Sequence, residues 1–151
     1  MAFNISDLTT DQLKALQSAQ IAALTTADTA ALSTLQMTVL STDQLSWIGT
    51  AQLRALTASA LQAMSTLQLS AGLSTKQVAA LTTAQFASLS TDQLSAGLTS
   101  NQFGALTSAQ LAMLTPAKIT AIETADLAAI KTAQLVTLSA DQLRAFDSNQ
   151  I

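Results

Sequence analysis

Residues 89–97 read LSTDQLSAG, and each residue in that stretch has a local physical role. Ser90 followed three residues later by Gln93 is a capping box. The hydroxyl of a helix N-cap accepts from the backbone N–H of the third helical residue, and the Gln side chain reaches back to the N–H of the cap. In the same register Leu89 precedes the cap and Leu94 is the fourth helical residue, so the two form a hydrophobic staple that fixes how the chain enters the helix. Asp92 falls in the first turn, where negative charge complements the helix dipole. The stretch is an instruction to begin a helix.

The same instruction recurs as LTTDQLKA from Leu8, LSTDQLSW from Leu40, LTTAQFAS from Leu81 and LTSAQLAM from Leu106. Aligned at the apolar residue before each Ser/Thr pair, the repeat is an octad that runs from Leu8 to Ile151, with Gly72 and Gly97 each adding a ninth residue. Position 1 is apolar throughout. Position 6 is apolar except at Thr29, position 5 is mostly Gln, positions 2 and 3 are largely Ser or Thr, and position 8 is mostly Ala. Asp28, Ala60, Lys118 and Asp126 depart from Gln at position 5. Pro116 stands at position 3, the first helical residue in this register, where proline costs least. A competing register caps at position 3, supported by IETADLAA and IKTAQLVT, whose second residues are Glu123 and Lys131.

A new cap every eight residues restarts the helix about every two turns. One continuous helix is disfavoured, because at about 100° per residue an octad rotates the apolar stripe by about 80° per repeat. A β-solenoid is disfavoured because positions 1 and 6 have opposite parity and would face opposite sides of a strand. The expected fold is an all-α solenoid of very short capped helices, about 9 Å long each. Helices this short need stacked neighbours for stability. Gly72 and Gly97 lie twenty-five residues apart, which suggests about three repeats per superhelical turn, each Gly being expected as a left-handed C-cap at a corner. Residues 1–151 form a single repeat domain. Residues 1–7 are cap-like, with Phe3, Asn4, Asp7 and Leu8 in the four staple and box roles.

The composition narrows the function classes. With Lys+Arg 6, Asp+Glu 9 and no clustered positive charge, nothing matches the electrostatic footprint of nucleic-acid binding. The chain has no Cys, His or Tyr, so thiolate and imidazole chemistry is absent. No catalytic, cofactor-binding or metal residues are expected. The pair Ser74 and Lys76 resembles a Ser/Lys dyad but reads as a capped helix beside an exposed Lys. Trp47, the only tryptophan, reads as a core or corner filler. The Gln row reads as capping, with inter-coil amide ladders as the lesser reading. No stretch of about 18 apolar residues occurs, so membrane insertion is not expected, and no N-terminal secretory signal is visible.

The phrases LTTAQ, LSTDQL and LTSAQL resemble the short Leu-Ser/Thr-Gln repeats of large surface or secreted bacterial proteins, and the likeness spans almost the whole chain. That resemblance implies an extracellular or cell-surface stalk, spacer or fibre rather than an enzyme. The final FDSNQI is still a repeat, cut at position 6, so an uncovered solenoid end is expected to stack head to tail on another copy. The alternative is a binding module that presents a Ser/Thr/Gln face to polysaccharide or ice, weighed against the commitment of those hydroxyls to caps.

Overall fold

The computed structural model of the chain describes residues 4–146. They form a short 3-10 turn, Ile5–Asp7, followed by seventeen α-helices of four to seven residues. The first coil holds α1 (Thr10–Lys14), α2 (Ser18–Ala22) and α3 (Thr26–Ala30), the second α4 (Thr34–Val39), α5 (Thr42–Ser46) and α6 (Thr50–Ala55). The third holds α7 (Ala58–Gln62), α8 (Thr66–Gly72) and α9 (Thr75–Ala80), the fourth α10 (Thr83–Ser88), α11 (Thr91–Ser95) and α12 (Ser100–Gly104). The fifth holds α13 (Ser108–Ala112), α14 (Pro116–Thr120) and α15 (Thr124–Ala129), and α16 (Thr132–Leu135) and α17 (Ala140–Arg144) begin a sixth. Helices pack on those three places along, as α4 does on α1, α6 on α3, α8 on α5 and α15 on α12. The fold is the expected all-α solenoid, with three octads per turn.

The cap register is the one in which position 2 leads. Ser41, Ser65, Ser74, Thr82 and Ser90 are N-caps with both halves of the capping box formed. Glu123 and Lys131 are also N-caps, though neither uses its side chain on the helix. Their units keep the register because the staple at positions 1 and 6 and the backbone entry angle are unchanged. Pro116 is the first residue of α14, preceded by the cap Thr115. At the N-terminus, Asn4 is the cap of the 3-10 turn but accepts from Ser6 N–H, not Asp7 N–H. The expected box with Asp7 does not form, because the turn is too short and tight to place a third helical N–H under the cap. Phe3 lies outside the described residues.

Positions 1 and 6 build one continuous core, from Ile5, Leu13 and Leu16 to Leu127 and Ile130. Phe86 and Phe103 are its largest fully buried members. Thr29, the polar exception at position 6, is fully buried and returns its hydroxyl to the carbonyls of Thr25 and Thr26. Trp47 is half-buried against this core at the C-cap of α5.

The glycines correct an expectation. No described glycine has a positive φ, so Gly72 and Gly97 are not left-handed caps. Gly72 closes α8 inside the helix. A Cβ there would lie 3.0 Å from Leu45 Cδ1 and 3.3 Å from Thr42 Cα in the coil below. On Gly97 it would lie 2.5 Å from the Gln93 carbonyl oxygen and 3.0 Å from Leu69 Cδ1. Gly72 is needed because it is pressed against the helix stacked beneath it, and Gly97 chiefly because a side chain would strike the carbonyl of its own helix at Gln93, with Leu69 below adding to the crowding; twenty-five-residue spacing alone does not distinguish these demands from a turn.

Leu94 is fully buried whereas Leu67, at position 4, is 64 % exposed. Leu94→Ala is therefore expected to lower unfolding stability by about 2–5 kcal/mol. Leu67→Ala should stay within about 0.5 kcal/mol of the parent, both read by urea denaturation.

Candidate functional site

The position-5 glutamines do two things at once. Gln93 Oε1 accepts from Ser90 N–H at 3.0 Å, completing the box. Its Nε2 leaves the helix altogether and donates to the carbonyls of Leu61 and Met64, both at 2.9 Å, in the coil below. Those carbonyls lie where one helix ends and the next begins, the place where backbone acceptors lose their intrahelical partners. One amide thus satisfies an orphan donor at its own helix start and adds a donor to the carbonyls at a corner of the preceding coil.

The arrangement repeats with fixed arithmetic. Gln44, Gln68 and Gln142 reach the position-1 carbonyls of Leu16, Leu40 and Leu114, 28 residues back. Where Gly72 or Gly97 intervenes, the interval becomes 29, as for Gln77 to Ile48 and Gln102 to Leu73. The glycine insertion is absorbed without breaking the row. These glutamines are buried, Gln110 to 1 % exposure, and no buried side-chain N or O among the described residues lacks a partner.

Departures from Gln follow from the same geometry. Lys118 has no carbonyl to close a box and spends its Nζ on the carbonyl of Ala87 below. Asp126 has no donor, and instead accepts from Ser100 Oγ at 2.7 Å. Asp28 sits in the first coil. It only caps, accepting from Thr25 N and Thr25 Oγ1 at 2.7 Å each. Those bonds, the hydroxyl one foremost, hold its carboxyl below the ordinary carboxylate range. A lowered folded pKa makes this contribution present above the unfolded value and lost as pH falls through the folded one.

The two ends of the described solenoid differ. Leu13, with no coil on its N-terminal side, is fully buried, whereas Leu143 in α17 is 47 % exposed. Leu135 in α16 is half-buried. The position-6 side chain is therefore sealed mainly by the coil that follows it. At the other end, Gln12 and Gln20 are exposed, and each uses only its Oε1, on Thr9 N and Gln17 N.

The repeat model described as "ALTTAQ repeat" matches residues 46–83, 71–96, 77–108 and 119–151, which together make up more than half of the chain. The chain belongs to the ALTTAQ repeat family. No curated protein and no solved structure is significantly similar to it. In the terms of the structure, the ALTTAQ phrase ends on the glutamine that joins adjacent coils.

Other sequence candidates have defined places in this ALTTAQ array. Ser74 is an N-cap, accepting from Gln77 N and donating to Gln77 Oε1, and Lys76 is exposed. Position-2 hydroxyls are committed to caps as expected, except that of Thr115, which makes no side-chain bond to α14. Position-3 hydroxyls are not, and Thr26, Thr50 and Thr75 begin α3, α6 and α9, helices that pack on one another in turn, with no side-chain bond among the described residues. Among the described residues no group of three or more His, Cys, Asp or Glu can hold a metal ion. No described helix is long and apolar enough to cross a membrane.

Gln93→Glu keeps the box acceptor and removes the inter-coil donor. It sets a buried carboxylate against the carbonyls of Leu61, Gln62 and Met64. We expect a stability loss of roughly 2–4 kcal/mol at pH 7. Burial raises the folded pKa of the new carboxyl above its unfolded value, so the loss grows as pH rises through the unfolded value and shrinks in acid. Gln12→Glu, on the exposed first coil, is expected to leave unfolding curves almost unchanged at both pH values.

Proposed function

We propose that this chain is a non-enzymatic structural module that associates end to end into a fibre, stalk or spacer outside the cell or at the bacterial surface. The observation that carries the reading is the last described coil, where Leu143 is 47 % exposed and Leu135 half-buried at a position that is buried in every coil before it. A second copy seated there completes the same packing that joins successive coils within the chain. Such contact is heterologous and propagates into a filament when its rotation does not close. A formal net charge of −3 offers little long-range repulsion against it. The resemblance to repeats of large surface or secreted bacterial proteins supports an extracellular setting.

The hydroxyls of Thr26, Thr50 and Thr75 favour a second reading, in which one face of the solenoid lies on a polysaccharide or ice lattice. Electron microscopy with sedimentation over a concentration series separates the two. End-to-end assembly predicts rods that lengthen with concentration and shorten in Leu143→Lys. Uniform monomers at every concentration contradict it. Monomers retained on insoluble polysaccharide, and released by Thr50→Val with Thr75→Val, support the lattice reading instead.

A further inference from the structure

We propose that the amides of Gln12 and Gln20 dock one copy of this chain onto another, donating to the corner carbonyls of the neighbour's last described coil at Ile130, Leu138 and the residues flanking them. The inference rests on the end-to-end reading above and assigns the contact its polarity. Every position-5 glutamine from Gln36 to Gln142 donates its Nε2 to a corner in the coil beneath. Gln12 and Gln20 have the same residue type, place and box bond to their own helix, yet their Nε2 atoms have no acceptor among the described residues.

The matching acceptors lie at the far end. Ile130 and Leu138 hold position 1, the place whose carbonyl takes a Gln amide at Leu16, Met64 and Leu114. Neither carbonyl receives a side-chain donor among the described residues. The carbonyls of Leu127 and Leu135 beside them receive the turn N–H groups of Ile130 and Leu138, which leaves each a second lone pair. The equivalent carbonyl of Leu61 takes both kinds of donor, from Met64 N and Gln93 Nε2.

Two donors one octad apart thus meet two acceptor corners one octad apart, while the half-exposed Leu143 and Leu135 are covered by the incoming coil. A three-sided coil can seat in three rotations. The third position-5 residue of the first coil is Asp28, which has no donor when ionised and whose helix α3 is already packed by the 3-10 turn. Asp28 therefore makes no third amide contact, and the contact is directional because the free donors lie at one end and the free acceptors at the other.

The test is sedimentation equilibrium on the full chain at pH 7, comparing the parent with Gln12→Glu/Gln20→Glu, Gln12→Met/Gln20→Met and Leu143→Lys. Glu keeps the box acceptor and removes the donor, whereas Met removes the donor without adding charge. Both double variants should weaken self-association at least about ten-fold, the Glu variant with an unchanged thermal midpoint of the dilute monomer and the Met variant with a slightly lower one, since it also loses the two box acceptors. Acidification toward the carboxyl pKa should return part of the affinity to the Glu variant, since a protonated carboxyl donates again. A parent chain that never associates overturns both the end-to-end reading and this inference. Association that Leu143→Lys weakens but the Met variant leaves at parental strength overturns the amide docking alone and leaves the end-to-end reading standing.

Discussion

A primary amide has an oxygen that accepts and a nitrogen that donates twice, and stacking in this solenoid depends on using both ends in different coils. The oxygen of each position-5 glutamine closes the first turn of its own helix, while the nitrogen holds the corner of the coil beneath. Helices of four to seven residues leave a large share of their backbone groups without intrahelical partners. Burying so many helix ends is unfavourable unless the orphan groups are met. The glutamine row meets donors and acceptors with one side chain per corner, and it does so inside the apolar surface formed by positions 1 and 6.

Direction follows from this interaction. Amides point toward the N-terminal side of the stack, and the position-6 side chains are sealed from the C-terminal side, so a coil has two unlike faces. Extension by identical coils is then geometrically the same step each time, which is the nearest-neighbour logic of repeat proteins. The step also tolerates irregularity. Gly72 and Gly97 lengthen two coils by one residue, and the glutamine interval shifts from 28 to 29 without losing an acceptor. Lys118 and Asp126 show the limits of substitution: one keeps only the donor, the other recruits Ser100 to reverse the bond.

Much of this was legible in the octad. The staple residues, the cap at position 2, Pro116 at the first helical place and three repeats per turn all follow from local rules, because each involves residues within a few positions of one another or a simple count. Thr29 and the two glycines were legible as exceptions but not in their cause. The inter-coil hand of the glutamines was legible only as the lesser reading, amide ladders between coils, and the amides reach backbone carbonyls instead; those acceptors lie about a coil and a half-repeat away, and the capping box already accounts for the residue. One signal was present. A box accepts Glu as readily as Gln, yet Glu never occurs at position 5, and the single Glu of the chain, Glu123, stands at position 2. The preference for the amide over a carboxylate that caps as well, broken in the described coils only by Asp28 and Asp126, marks a donor used elsewhere.

Hydrogen exchange of the glutamine side-chain amides tests the dual role most directly. The Nε2 protons of Gln77, Gln85, Gln93, Gln102 and Gln110 should exchange at least about ten-fold more slowly than those of Gln12 and Gln20 in the monomer, each as a resolved pair of resonances. Equal and fast exchange along the whole row would show that the glutamines only cap their helices, and that something else holds the coils together.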